Sequence, residues 1–183
     1  NYDTMFRLAD AFMFFTPEER RIVSERFKFE PEGPTVGMGL EVHERADPAP
    51  FRQQVGLGTD PYLLYVGRIE PAKGALEAYR FFEAFKERNP GSLKFVFVGD
   101  KLVDFPDHPD VMHAGYLDES TKRAALAGCF ALFQPSYFES FSIVLCEAWL
   151  QRRPALVQGR SEVLAGQARR AKGALPYRGF AEF

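Results

Sequence analysis

A doubly wound α/β fold, one parallel sheet covered by helices on both faces, is what this 183-residue chain predicts. Three observations carry that reading. The runs YLLYVG (62–67), LKFVFVG (93–99), CFALFQPS (129–136) and PALVQ (154–158) are continuously apolar, as expected of strands buried on both faces. Stretches with apolar residues at helical spacing separate them. Strand and helix then alternate, which calls for right-handed crossovers and a parallel sheet.

The elements follow in chain order. Residues 10–16, DAFMFFT, read as a short strand. Thr16-Pro17-Glu18-Glu19 is a strong helix start, with Thr as N-cap, Pro at the first helical position and acids in the first turn. That helix is expected to run to about Phe29, where Pro31 and Gly33 stop it. PTVGMGLE reads as a short strand running into a turn, and the mixed charge, Pro and Gly of 43–60 read as a linker. After the strand at 62–67, Leu76, Tyr79, Phe82 and Phe85 mark a helix over 71–89, closed by Asn89-Pro90-Gly91. Next come strand 93–99, strand VMHAGYL (111–117), and a helix over 118–128 with Asp118 or Ser120 as its cap. Strand 129–136, helix 140–152, strand 154–158, helix 161–171 and strand 173–178 complete the series. Residues 1–60 are read as the end of a preceding domain, a crossing segment and a linker. Residues 61–183 are read as one domain truncated at its C-terminus. The chain opens at Asn1 without Met and stops just past a strand, so parts needed for function are expected outside it.

Bulk properties narrow the classes. Apolar residues make up 46% of the chain, enough for a packed core rather than a disordered segment. A net charge of −2 does not suit wrapping a polyanion, so no nucleic-acid partner is expected. Cys129 and Cys146 lie in apolar runs and read as buried, reduced thiols, in keeping with a cytoplasmic setting. No run reaches the roughly 18 apolar residues of a membrane span, and no signal-peptide pattern opens the chain.

In doubly wound sheets ligands bind beyond the carboxyl ends of the strands, so those ends carry the candidate chemistry. After strand 62–67 comes Gly67-Arg68-Ile69-Glu70-Pro71-Ala72-Lys73-Gly74. Two cations five residues apart lead into a helix start whose free N–H groups and dipole also favour an anion. After strand 129–136 comes Pro135-Ser136-Tyr137-Phe138-Glu139-Ser140-Phe141-Ser142, with Ser140 or Ser142 as the cap of a helix containing Glu147. A carboxylate in the apolar stretch IVLCEAWL is costly to bury without donors; sugar hydroxyls would serve, and a solvent-facing position is the plain alternative. Gly115-Tyr116-Leu117 closes a third strand, either a slot for a nucleobase or an ordinary turn.

Taken together, YVGRIEPAKG, FVGD, GYL, PSYFESFSIVLCEA and PALV resemble the C-terminal domain of a GT-B-fold, family 4 type (group 1) retaining glycosyltransferase. The similarity covers about residues 62–158. Its most specific element is the pair Glu139 and Glu147 with seven residues between them. The resemblance implies a single Rossmann-like domain, one half of a GT-B fold, that binds a nucleotide-diphospho-sugar. A hexosyl group would pass to a hydroxyl acceptor held by a separate N-terminal domain. It implies that Arg68 and Lys73 bind the donor diphosphate and offset the charge developing on it. Glu139 would contact the donor sugar, Glu147 the ribose, and the Phe141 and Ser142 N–H groups the phosphates. Gly67 would let backbone approach the ligand, and Gly115 and Leu117 would lie around the base. No metal or other cofactor is implied.

The family often has glycine around the helix start where Ser140 and Ser142 stand here. That departure favours the rival reading, a catalytically inactive scaffold or binding subunit; four retained polar groups at strand ends argue against it. No G-x-G-x-x-G follows the first strand, so an ordinary dinucleotide-binding domain lacks support. His108, Asp110 and His113 lie close in sequence without a standard ligand spacing and read as a polar loop. Arg152, Arg153, Arg160, Arg169, Arg170 and Lys172 face one acid, Glu162, over 151–172. They read as solvated helix faces, with a peripheral membrane contact left open. Trp149 and Phe141 are expected to pack their helix onto the sheet.

Overall fold

The computed structural model describes residues 2–183. Its six strands are β1 (Tyr62–Val66), β2 (Lys94–Val98), β3 (Val111–His113), β4 (Ala131–Gln134), β5 (Ala155–Gln158) and β6 (Ala174–Tyr177). The helices are α1 (Tyr2–Leu8), α2 (Pro17–Phe27), α3 (Ala49–Val55), α4 (Ala75–Arg88), α5 (Glu119–Gly128), α6 (Ile143–Leu150) and α7 (Glu162–Ala171), with a 3₁₀ turn at Pro71–Lys73. The strands form one sheet in the order β3-β2-β1-β4-β5-β6, every neighbouring pair parallel. The doubly wound arrangement expected from the apolar runs is therefore the one present.

Side-chain alternation along the buried strands divides the core in two. Leu64, Val96, Val98, Leu132 and Val157 pack with Phe51, Leu126, Leu145 and Leu164, which belong to α3, α5, α6 and α7. Leu63, Tyr65, Phe95, Phe97 and Phe133 pack with Tyr79 and Phe82 of α4 and with Tyr177. Much of the chain's phenylalanine goes into this second cluster. Phe95 and Phe97, two residues apart on one face, have ring centroids 4.2 Å apart, and Phe183 closes on Phe133 at 5.0 Å.

Three expectations need correction. The segment 43–60 is not plain linker. It contains α3, whose Phe51 is fully buried and meets Tyr62 at 5.9 Å. Its Pro, Gly and charged residues masked about two turns of helix anchored by a single large side chain. Residues 10–16 do not form a strand; a single parallel bridge joins Phe14 to Thr35. The helix expected from 71 starts at Ala75, because Gly74 takes a left-handed conformation, φ 73°, between the 3₁₀ turn and α4. The cap at Thr16 is as expected, its hydroxyl accepting from the Glu19 N–H at 3.1 Å. Asp118, not Ser120, caps α5, and bonds from Thr121 and Ser120 hold its carboxyl well below the usual range.

The strand order reverses between β1 and β4: successive crossovers run outward to β3 on one side and to β6 on the other. Loops leaving β1 and β4 thus diverge, and a crevice opens at the carboxyl ends between them.

Candidate functional site

That crevice is where the chain places its best chemistry. Lys73 ends the 3₁₀ turn after β1, and Glu139 lies in the loop after β4. Lys73 Nζ donates to Glu139 Oε1 at 2.9 Å. The glutamate side chain is only 12% exposed, while the lysine remains about one-third exposed (34%) at the rim. The two loops approach closely because residue 74 is glycine: a Cβ there would lie 2.4 Å from the Pro135 carbonyl oxygen. The first turn is pinned from below, where the buried Tyr65 hydroxyl donates to the Arg68 carbonyl at 2.6 Å. Burial and the nearby Glu70 and Glu139 charges push the Tyr65 phenol upward, so it stays a donor.

Lys73, Glu139 and Ser140 line an open cleft of about 560 Å³, together with Tyr137, Phe138, Arg160 and residues of α2 and α7. Helix α2 reaches this rim through the Thr16 hydroxyl, which donates to the Ser140 carbonyl at 3.3 Å. It docks on α7 through the ion pairs Arg170–Glu18 and Arg21–Glu162.

The remaining expected residues are distributed around this centre. Arg68 is exposed and pairs with Glu70 at 3.1 Å, so it is not drawn into the Lys73–Glu139 contact. Glu147 is not solvent-facing. It is half-buried on α6 and accepts from Lys122 of α5 at 2.9 Å, beside a hollow bordered by Leu40, Glu41 and His43. Burial works against the charge of Lys122, but Glu147 and Glu119 outweigh it and raise the lysine above its usual range. Gly67 has φ 151°. Gly115 has φ 71° with open space around it, and its carbonyl accepts from the Gly99 N–H. The Leu117 side chain is core, so only its backbone is available to a ligand.

The helix expected from residue 140 begins at Ile143. Ser142 occupies the cap position but not in the expected role. It is buried at φ 68°, makes no side-chain cap bond, and takes a hydrogen bond from Gln134 Nε2 at 2.9 Å. The first N–H groups of α6 lack intrahelical partners as at any helix start, and they follow directly on Phe141 and Ser142. Ser140 is exposed, and the Phe141 carbonyl is taken by Gln167. Trp149 packs against the core and donates to the Gly173 carbonyl at 2.9 Å. Lys122 was missed because a lysine on an amphipathic helix looks the same whether it meets water or a carboxylate.

Two other features lie outside the site. Cys129 is fully buried and its thiol is pushed up to about 12 by burial, while Cys146 is half-buried. The His108 ring accepts from the Asp110 N–H, Asp110 is held by Lys86 and Lys94, and His113 meets the Gly99 carbonyl. A larger groove of about 690 Å³ runs along the opposite, amino ends of β4, β5 and β6 past Phe130, Trp149 and Leu175. It carries cations but no carboxylate and lies away from the switch point, so the smaller cleft is the candidate site. Among the described residues no helix is long and apolar enough to cross a membrane.

The comparisons with known proteins agree with this fold. Among solved structures, HepE from Anabaena in complex with UDP and glucose is similar over 87% of this chain and 47% of its own, with 18% identity and a TM-score of 0.68. Sucrose-phosphate synthase from Thermosynechococcus elongatus is similar over 99% of this chain and 49% of its own, at 19% identity and a TM-score of 0.75. A variant of S. aureus TarM in complex with fondaparinux, alpha-GlcNAc-glycerol and UDP is similar over 97% and 35%, at 14% identity and 0.75. At these identities the likeness is one of fold, and the chain spans about half the length of the first two. No curated protein sequence matches it. The family model "Glycosyl transferases group 1" matches residues 49–172, well over half of the chain. With a Rossmann-like sheet of the GT-B type and a charged crevice at its switch point, the chain belongs to the group 1 glycosyl transferases.

Proposed function

We propose that this chain is the donor-binding half of a glycosyltransferase that moves a hexosyl group from a nucleotide-diphospho-sugar to a hydroxyl acceptor, with retained anomeric configuration. The observation that carries the reading is the Lys73–Glu139 pair at the β1/β4 switch point, beside the start of α6. The bond from the sugar's anomeric carbon to the diphosphate breaks, and one to the acceptor oxygen forms. The acceptor hydroxyl gives up its proton, and the nucleoside diphosphate leaves with an added negative charge. Lys73 is placed to turn from Glu139 to that diphosphate, and exposed Arg68 can swing to it from Glu70. Fixed cations facing charge that grows in the transition state lower the barrier. In this reading they take the place of a divalent ion. Glu139, released from Lys73, accepts from donor-sugar hydroxyls. Glu147 accepts from the ribose, and backbone at Gly115 and Leu117 borders the base. The acceptor is held by a second domain of the larger protein.

HepE and TarM were solved with UDP, so UDP is the first ligand to try. The test is calorimetric titration of the full-length protein with UDP, GDP and ADP, each beside its nucleoside, with EDTA present. One diphosphate is expected to bind in the micromolar to millimolar range, and more tightly than its nucleoside. Failure of all three to bind would overturn the reading in favour of a scaffold subunit. Binding that appears only when magnesium replaces EDTA would overturn the metal-free part of it.

A further inference from the structure

Two walls of the cleft, the loop after β4 and the turn after β5, are tied to a single carboxylate that the transfer chemistry does not use. Glu77 lies in the first turn of α4. Its Oε2 accepts from the Tyr137 hydroxyl at 2.6 Å. Its Oε1 accepts from Gln158 Nε2 at 3.0 Å and from the Tyr177 hydroxyl at 3.4 Å. Three donors from three separate segments meet one side chain. Gln158 and Tyr177, which end β5 and β6, are both fully buried.

Two of these bonds lead on to the cleft. Tyr137 stands two residues before Glu139, in the loop that also carries Phe138 and Ser140. Gln158, held through its amide nitrogen by Glu77, uses its amide oxygen to accept from the Arg160 N–H at 3.1 Å. That fixes the turn ahead of Ser161, whose hydroxyl caps α7. Arg160, Ser161, Tyr137 and Glu139 all line the same cleft. Gln158 needs an acceptor oxygen at position 77, whereas the two hydroxyls can take either role. An amide there presents its NH₂ to one of the donors. Tyr137 can respond by rotating its hydroxyl to accept, but Gln158 cannot turn its amide over without abandoning the Arg160 N–H.

We propose that Glu77 is a positioning residue that holds the loop bearing Glu139 and the turn bearing Arg160 against α4, so that both face a bound donor. Its catalytic consequence rests on the transferase reading above; its structural consequence does not. Loosening of these two loops while the core strands stay protected distinguishes this tie from general packing. Tyr177 shares the same carboxylate but leads to no cleft residue.

The test uses the full-length protein as E77A, Y137F and Y177F variants, with two readouts. Amide hydrogen exchange over 135–142 and 158–162 is expected to quicken on the order of tenfold in E77A in both segments, and in Y137F in the first only. Y177F is expected to leave both unchanged, and core strands β1 and β2 are expected to stay protected in all three. Turnover with a nucleotide-sugar donor is expected to fall about tenfold in E77A with donor KM changed less than about twofold, as when geometry rather than binding is lost. Unchanged exchange in both loops of E77A overturns the proposal, as does exchange that quickens equally across the whole sheet or equally in Y177F. A wild-type protein that transfers no sugar sinks the transferase reading instead, and the exchange pattern still decides for or against Glu77.

Discussion

Two lysine–glutamate pairs of the same length, 2.9 Å, stand at the carboxyl side of this sheet, and they are built differently. Lys122–Glu147 joins α5 to α6, so both partners sit on regular helices. Lys73–Glu139 joins a 3₁₀ turn to a loop, 66 residues apart in the chain. Lys122 is shared with Glu119 and is raised by both acids, whereas among the described residues Lys73 pairs with Glu139 alone. Side chains on helices are placed by secondary structure; side chains on loops are placed only by what the loops touch. Here those contacts are Gly74 against the Pro135 carbonyl and Tyr137 on Glu77. The difference suits the two tasks proposed above. A ribose offers neutral hydroxyls and can join a standing carboxylate. A diphosphate must take a lysine away from its partner, and a loop-borne pair yields at lower cost.

Breaking the loop-borne pair through its backbone has the largest expected effect. Gly74→Ala adds a Cβ that meets the Pro135 oxygen at 2.4 Å, at a φ of 73° that alanine resists. Strain and clash together are expected to cost about 2–4 kcal/mol of stability, read from a denaturant midpoint, and to remove diphosphate binding with it. A variant of unchanged midpoint would show that the loops part freely. Next in size is Lys73→Ala. Loss of a charge-assisted phosphate contact is expected to weaken nucleoside diphosphate binding by roughly ten- to a hundredfold, with the nucleoside unaffected. Glu147→Ala should act on both ligands alike, by about tenfold, since each carries the ribose. Equal losses in Lys73→Ala, or a selective loss in Glu147→Ala, would exchange the roles of the two pairs.

The same contrast marks what was legible from residues alone. The strands showed as unbroken apolar runs because both faces of a parallel sheet are covered, and their bounds shifted by only a residue or two, except at 111–117, where β3 ends at His113. The helix-borne Glu147 was placed correctly inside α6 because helical spacing fixes a residue's depth. Its partner Lys122 was not legible: pairing across α5 and α6 depends on how two helices meet, and no local pattern encodes that. The Lys73–Glu139 contact needed the strand order, since only adjacency of β1 and β4 brings their loops together. Glu77 was invisible for the same reason, with donors from β5, β6 and a loop up to 100 residues away. Ser142 misled because serine before a helix usually caps it, whereas its left-handed backbone here turns the hydroxyl inward to Gln134. Helix α3 stayed hidden because one buried phenylalanine makes no periodicity.

The smallest effect expected is at Lys122, and it sharpens the comparison most. Lys122→Met keeps the length of the side chain and its packing while removing the charge that holds Glu147. If the helices alone place Glu147, the carboxylate stays where it is and loses only an ion pair. A ribose hydroxyl then meets a less occupied acceptor, and nucleoside affinity is expected to change by no more than about threefold, the size of a partly exposed pair. A fall as large as that in Glu147→Ala would mean that Lys122 aims the carboxylate. The helix-borne pair would then depend on tertiary contacts as fully as the loop-borne one.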